Sequence, residues 1–240
     1  MFKNKWLRWS AIAAGAILLV VILNYEVLTR NSWNNWNLPL SGRVIVLDPG
    51  HGGVDGGAEG GKVKEKDIAL QIAKKLKDDL QASGALVLMT REKDQDLADE
   101  DLQGNSRRKT QDLKRRAEMV KDSEADAMVS IHLNAIPSSQ WRGAQTFYHP
   151  QSKENKKMAK FIQDSLRNEL NNTNRVAKAI NSIYLLKVAK QPSALVEVGF
   201  LSNPDERQLL NTDDYQQKVA ASIYQGLMRY FTDEPVPELE

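Results

Sequence analysis

Two of the three histidines in this chain stand where apolar runs end. His51 lies in Asp48-Pro49-Gly50-His51-Gly52-Gly53, directly after Val44-Ile45-Val46-Leu47, and His132 closes Ala127-Met128-Val129-Ser130-Ile131-His132. A buried strand that gives way to a loop delivers its last side chains to the carboxyl edge, where open α/β sheets bind ligands. Neutral imidazole is the commonest metal ligand, so two imidazoles at one edge make half of a zinc site. A catalytic zinc takes three protein ligands and keeps one position open, and two histidines with one glutamate is a standard set. The chain has no HExxH, so the third ligand must come from elsewhere in sequence. Glu65 is the best candidate. It follows the Gly-rich stretch 52–61, whose glycines let the loop fold back over the strand edge, and it opens the helix that begins Lys66-Asp67. Local sequence leaves Glu65 two roles: a ligand held rigid by the first helical turn, or a carboxylate that only complements the helix dipole.

A zinc hydrolase also needs a side chain that takes a proton from the attacking water and hands it to the leaving group. Glu197, in Ala194-Leu195-Val196-Glu197-Val198-Gly199-Phe200, is a carboxylate inside an apolar strand, a costly placement unless it is paired or functional. Burial would raise its pKa toward the range a general base needs. The structural alternative is a strand-end Glu bonded to loop amides or to an Arg; the Gly-containing turn that ends the strand favours the catalytic role. Asp48 is a candidate partner for His51 or a cap for its loop. Ser130 and Asn134 flank His132 and are candidates to bond substrate or backbone. Arg91 closes the second apolar run and is a candidate to pair with a carboxylate. His149, before Pro150 on an exposed loop, has no partner motif and reads as a surface histidine. Gly52-Gly53 and Gly56-Gly57 match neither dinucleotide nor P-loop spacing.

The elements that must position these groups alternate. Runs at 43–47, 86–90, 127–132, 144–148, 182–186 and 194–198 predict strands. Ile68, Ile72, Leu76 and Leu80 give 66–82 one apolar helical face. Helices are predicted also at 107–121, which is basic, at 153–171 around Met158, Phe161 and Ile162, and at 213–231 around Val219, Ile223 and Leu227. Alternation predicts a single three-layer α/β domain, a mostly parallel six-stranded sheet with helices on both faces. The run at 144–148 follows 127–132 too closely for a helical crossover, so that pair is expected antiparallel and the sheet mixed.

The 240 residues suit one catalytic domain, expected at 43–231, with an acidic, Pro-containing flexible tail at 232–240. A net charge of +2 and no Lys/Arg block interleaved with aromatics argue against nucleic acid. The absence of cysteine excludes disulfides, thiolate catalysis and Cys-ligated zinc. Lys3, Lys5 and Arg8 precede an uncharged, Ala/Ile/Leu/Val-dense stretch from Trp9 to Tyr25, the pattern of an export signal. Residues 1–28 are therefore expected to be a signal peptide or an uncleaved signal-anchor. The absence of an A-x-A site favours the anchor, with the N-terminus inside and the body outside. Residues 29–42, polar with Trp33 and Trp36, read as a linker.

Beyond these single positions, several motifs occur in one order. They are Asp48-Pro49-Gly50-His51-Gly52-Gly53 with Asp55-Gly56-Gly57-Ala58, Lys64-Glu65-Lys66-Asp67, Met89-Thr90-Arg91, Leu113 with Arg116-Ala117, Ser130-Ile131-His132-Leu133-Asn134-Ala135, and Glu197-Val198-Gly199-Phe200-Leu201-Ser202-Asn203. The chain thereby resembles the zinc-dependent N-acetylmuramoyl-L-alanine amidases of the Amidase_3 class over about 43–231. The resemblance implies one Zn2+ per domain on His51, Glu65 and His132, with Glu197 as the catalytic carboxylate. It implies peptidoglycan as substrate and cleavage between the lactyl group of N-acetylmuramic acid and L-alanine. The anchor-like start, the lead-in Trp33 to Gly42 and the absence of a wall-binding repeat resemble the branch of the family that acts on the spore cortex in germination. That branch implies a step toward muramic-δ-lactam, in the exported envelope or forespore cortex region of a spore former. No long insert follows the 144–148 strand, where autoinhibited relatives carry an extra helix; an accessory activator protein of unknown identity remains open. Two other classes stand beside this reading: a zinc peptidase acting on stem peptides, and a non-catalytic wall-binding spore-assembly protein.

Overall fold

A computed structural model describes residues 6, 9, 10, 13–21 and 38–238. The chain divides into two units, Met1–Leu38 and Pro39–Glu240. In the first, residues 13–21 are helical and exposed; most of the expected signal or anchor segment and the linker as far as residue 37 lie outside the described residues. Among the described residues no helix is long and apolar enough to cross a membrane.

The second unit is a three-layer α/β domain. Its strands are β1 (Val44–Pro49), β2 (Glu59–Gly60), β3 (Val63–Lys64), β4 (Leu86–Met89), β5 (Ala127–Asn134), β6 (Gln145–Tyr148), β7 (Lys178–Ala179) and β8 (Ser193–Phe200). Its helices are α1 (Glu65–Ala82), α2 (Asn105–Asp122), α3 (Lys153–Leu170), α4 (Tyr184–Val188), α5 (Pro204–Leu210) and α6 (Asp213–Phe231). β2 and β3 form a small hairpin before α1; the other six strands form one sheet in the order β4-β1-β5-β8-β6-β7. β4, β1, β5 and β8 are parallel, and β6 runs antiparallel to β8. The mixed sheet is therefore as expected, but β8 lies between β5 and β6, so the two runs predicted to pair directly do not.

A second prediction also fails. Residues 182–186 are not a strand: Tyr184–Val188 form α4, and the sixth strand is the two-residue β7 upstream. A short apolar run has no period that separates a strand from a buried helical turn. Here Leu185 and Leu186 face the core while Tyr184 is exposed.

α1, α3 and α6 cover one face of the sheet. On α1 the predicted stripe Ile68, Ile72, Leu76 and Leu80 is buried, each at 2% exposure or less. Such a side chain contributes about 1.5–3 kcal/mol on burial. On the other face, Ala117 and Val120 of α2 and Leu185 and Leu186 of α4 pack on Val46, Met128 and Leu195. α1 has no side-chain cap at its N-terminus. Its first amides instead bond loop carbonyls, Glu65 N to Ala58 O at 2.9 Å and Lys66 N to Gly56 O at 3.2 Å. The Gly-rich loop is thus tied to the helix that carries Glu65. At the far end, Glu234 pairs with Arg229 and the Pro237 carbonyl accepts from Lys160, so the tail lies along α3 and α6 at these points.

Candidate active site

β1, β5 and β8 are neighbours in register, which fixes where their end residues go. Asp48 lies opposite Ser130, and His132 lies opposite Glu197. After β1 the chain reverses at His51, which adopts φ +61°, a left-handed conformation uncommon outside glycine. Two buried arginines hold that reversal. Arg91 donates to the carbonyls of Pro49 (3.0 Å), Gly50 (2.9 Å), Lys66 (2.8 Å) and Lys93 (3.2 Å). Arg116 donates to the carbonyls of Pro49 (2.8 Å) and His51 (2.6 Å). Three successive carbonyls are so gripped by guanidinium groups, and the strained histidine is over-determined by its surroundings.

The grip rests on Asp48. Its carboxylate accepts from Arg116 (2.8 Å), Thr90 Oγ1 (2.7 Å) and Ser130 Oγ (2.6 Å). Burial alone would raise its pKa, but Arg116, the charge of His132 and the two hydroxyls outweigh burial and bring it to about 2. Asp112 completes the pair on Arg116 Nε at 2.9 Å.

Three donors converge above this base. Glu65 Oε1 lies 2.8 Å from His132 Nδ1 and Glu65 Oε2 lies 3.2 Å from His51 Nε2. The ligand atoms of all three side chains lie within 4.8 Å of one another. Backbone amides orient the carboxylate: Leu133 N donates to Oε1 (2.9 Å) and Ala58 N to Oε2 (2.6 Å). Burial works against the charge of Glu65, yet the hydrogen bonds and charges of His132 and His51 hold its pKa well below the usual carboxylate range. Gly57 makes room for the arrangement, since a Cβ there would sit 2.5 Å from Glu65 Oε2 and 2.6 Å from the His51 ring. The His51 Nδ1 faces Asp55 Oδ2 at 2.9 Å, which leaves Nε2 toward Glu65. Two imidazole nitrogens and a carboxylate, with His51 Nδ1 on Asp55 and the carboxylate oxygens on backbone amides, are the donor set a zinc ion takes, so the residues present fit that metal.

Glu197 stands beside His132 on β8. Its Oε2 is buried and has no hydrogen-bond partner. Burial, with the nearby Glu65 charge, pushes its pKa up to about 7 against the opposing influence of His132 and His51. A cleft of about 110 Å3, lined by His51, Asp55, Lys109, Leu113, Arg116 and His132 among others, opens onto the donors. The arrangement can hold a divalent ion beside a carboxyl group able to exchange a proton near neutrality.

The family model described as N-acetylmuramoyl-L-alanine amidase matches residues 45–229. The chain belongs to this amidase family. A Bacillus subtilis relative, the germination-specific N-acetylmuramoyl-L-alanine amidase, is 54% identical over 234 residues, covering 98% of this chain and 99% of that one. Bacillus subtilis LytC, an amidase of the same name, is 32% identical over 88% of this chain and 40% of its own. Among solved structures, the CwlD amidase of Clostridioides difficile, in complex with the GerS lipoprotein, has a TM-score of 0.78 at 41% identity, covering 80% of this chain and all of that one.

In this amidase the sequence-selected residues divide. His51, Glu65, His132 and Glu197 come together. Asp48 does cap the loop, through Arg116 and two hydroxyls, and does not touch His51; Asp55 does, a residue the sequence reading passed over although it lies four positions on in the same loop. Arg91 meets no carboxylate among the described residues, because backbone carbonyls take its donors. Ser130, 1% exposed, is spent on Asp48. Asn134 ends β5 at an irregularity in register, its carbonyl accepting from Leu201 N at 2.8 Å. Arg116, quoted only as part of a motif, proves to be the hub.

Proposed function

We propose that this amidase is a zinc hydrolase of spore-cortex peptidoglycan that cuts the amide between the lactyl group of N-acetylmuramic acid and L-alanine, as a step toward muramic-δ-lactam and germination. The observation that carries the chemistry is the buried, unpartnered Glu197 Oε2 beside a His-Glu-His donor set. His51, Glu65 and His132 would hold one zinc ion. When bound, the ion lowers the pKa of water from near 16 to about 7 and polarises a carbonyl.

The remaining roles fall to the chain's own groups. Glu197, as carboxylate, takes a proton from the attacking water as its oxygen bonds to the lactyl carbonyl carbon. The carboxylic acid so formed delivers that proton to the alanine nitrogen as the C–N bond breaks. A pKa near the operating pH serves both transfers. Asp55 keeps the His51 Nδ1 proton in place, and the amides of Ala58 and Leu133 keep Glu65 from rotating. The products are a lactyl carboxylate on an intact glycan and a free stem peptide.

The basic, apolar N-terminal segment supports export, with the catalytic body held in the cell envelope by an anchor or released there. The solved relative with its lipoprotein supports an extracytoplasmic accessory protein for this chain as well. Digestion of cortex and vegetative peptidoglycan by the full chain, with and without chelator, tests the reading by mass spectrometry. New lactyl carboxyls on intact glycan, lost with chelator and restored by zinc, are expected. Amino acids released from stem peptides without new lactyl carboxyls would identify a peptidase instead.

A further inference from the structure

β6 carries the sheet edge one strand beyond Glu197. Gln145 lies opposite Glu197, and because β6 runs antiparallel, the residues before it project past the carboxyl end of β8. There a hollow of about 640 Å3 is lined by Trp141, Arg142, Arg167, Asn172, Thr173 and Arg175 among others, with no acidic residue. Trp141 is 47% exposed. Among the described residues neither Arg142 nor Arg167 has a carboxylate within ion-pair distance.

The walls are fixed. Arg175 donates to the carbonyls of Arg142 and Gly143 (2.7 Å to the latter), and its guanidinium lies 5.3 Å from the centre of the Phe200 ring. Gly143 N donates to the buried Glu206 at 2.8 Å. A Cβ at Gly143 would sit 2.4 Å from the Asn172 carbonyl, so the 171–175 loop packs directly on the strand entry. Three guanidinium groups surround a rigid hollow; Arg142 and Arg175 act through space on the buried Glu206, but neither Arg142 nor Arg167 is in an ion pair, so the hollow calls for an anion, and the aromatic side chain adds a flat apolar wall.

We propose that this hollow is a subsite for the free carboxylates of the stem peptide, up to about four residues beyond the scissile amide. The proposal rests on the amidase reading, because in the uncut substrate the lactyl carboxyl is tied up in the amide and the free carboxylates lie on the peptide. The spacing agrees. Strands lie about 4.8 Å apart, so Gln145 is about 10 Å from His132 across Glu197; Arg142, three residues earlier in the chain, lies up to about 10 Å further past that edge, and the combined span of up to about 14 Å is that of about four extended residues. The peptide leaves the cut bond along the edge from β5 across β8 to β6, and its carboxylates meet Arg142 and Arg167.

The test uses the full-length, zinc-loaded chain and the double variant Arg142→Gln/Arg167→Gln, two side chains that make no hydrogen bond or ion pair among the described residues, with the thermal midpoint measured alongside because Arg142 also acts through space on the buried Glu206. Calorimetric titration with a free stem tetrapeptide and with its carboxamide form reads binding. Kinetics on a muropeptide with the full stem and on muramoyl-L-alanine amide read use. Wild type binds the carboxylate peptide better than the carboxamide. The double variant loses about tenfold in this affinity and shows a KM about tenfold higher on the full stem. Its kcat, and its kinetics on the short substrate, stay near wild type, and Arg142→Lys/Arg167→Lys recovers part of the loss. Equal losses on both substrates, no loss on either, or tighter binding of an anionic wall phosphate polymer through the same arginines would overturn the subsite. If wild type frees no lactyl carboxyl from either substrate, the amidase reading fails, while the peptide titration still decides whether the hollow binds carboxylates.

Discussion

Around Glu65 both carboxylate oxygens are occupied. Oε1 faces His132 and takes the Leu133 amide; Oε2 faces His51 and takes the Ala58 amide. Around Glu197, on the strand next to that of His132, Oε2 has no hydrogen-bond partner. Hydrogen bonds and positive charge hold the first well below the usual carboxylate range, while burial carries the second to about 7. Two glutamates on one edge are given opposite environments and so opposite capacities. One is fixed in position and charge, as a metal ligand must be. The other is kept free of partners that would lock its charge, as a proton carrier must be. The chain spends its ordering devices on the first and none on the second.

Removing the carboxylate of Glu197 breaks the comparison most directly. Glu197→Gln keeps the shape but cannot exchange the proton, so kcat should fall by about 10^3-fold or more. Zinc content should stay at one per chain and the thermal midpoint should not drop. Near-normal hydrolysis of peptidoglycan by this variant would remove Glu197 from the chemistry.

The second break is at Arg116, which orders the His51 loop from below. Arg116→Met leaves the Asp48 carboxylate buried without its charge partner and frees the Pro49 and His51 carbonyls. Stripping one member of a buried pair costs about 3–5 kcal/mol, which for a domain of this size lowers the thermal midpoint by about 10 °C. A midpoint within about 2 °C of wild type would show that the left-handed His51 needs no such support.

How much of this was legible in the sequence depends on how far each signal reaches. His51 and His132 announce themselves because an apolar run and the residue that ends it are contiguous. Glu197 does so for the same reason. Glu65 stays ambiguous on local grounds, because the amides that orient it come from Ala58 and Leu133, and the latter is 68 positions away. Asp55 was invisible as a partner because its reach to His51 depends on a backbone reversal at φ +61°, which no composition rule foretells. Asp48 opens the same motif and stands closer to His51 in sequence, but its partner Arg116 lies on α2. The strands of the parallel core were legible from their apolar runs; the insertion of β8 between β5 and β6 was not, because pairing order is set by tertiary packing rather than by chain distance.

Asp55 offers a gentler way to sharpen the contrast. Asp55→Asn keeps a group of the same size at the His51 Nδ1 but removes the charge that favours its proton. Lys109, 2.9 Å from Asp55 Oδ2, loses its partner as well. Outer partners of metal-bound histidines typically contribute about 10–100-fold in metal affinity. Competition with a chromophoric chelator should show a loss in that range, with little change in the folding midpoint. An unchanged zinc affinity would mean that the loop geometry alone sets the His51 tautomer.

The smallest effect belongs to the third histidine. β6 runs antiparallel to β8, with Tyr148 opposite Ala194 near the start of β8 and Gln145 opposite Glu197 near its end. His149 therefore leaves the sheet at the edge away from the donors. Its Nδ1 accepts from Gln151 N at 3.4 Å and its carbonyl accepts from Asn155 Nδ2 at 2.9 Å, so only the weak contact involves the ring. His149→Ala should leave zinc content and kcat/KM at wild-type values and shift stability by no more than about 0.5 kcal/mol. The direction of one strand, rather than any property of the histidine, separates it from His132. A loss of zinc in this variant would mean that the ion draws on a ligand from the opposite end of the sheet, which the register of β6 forbids.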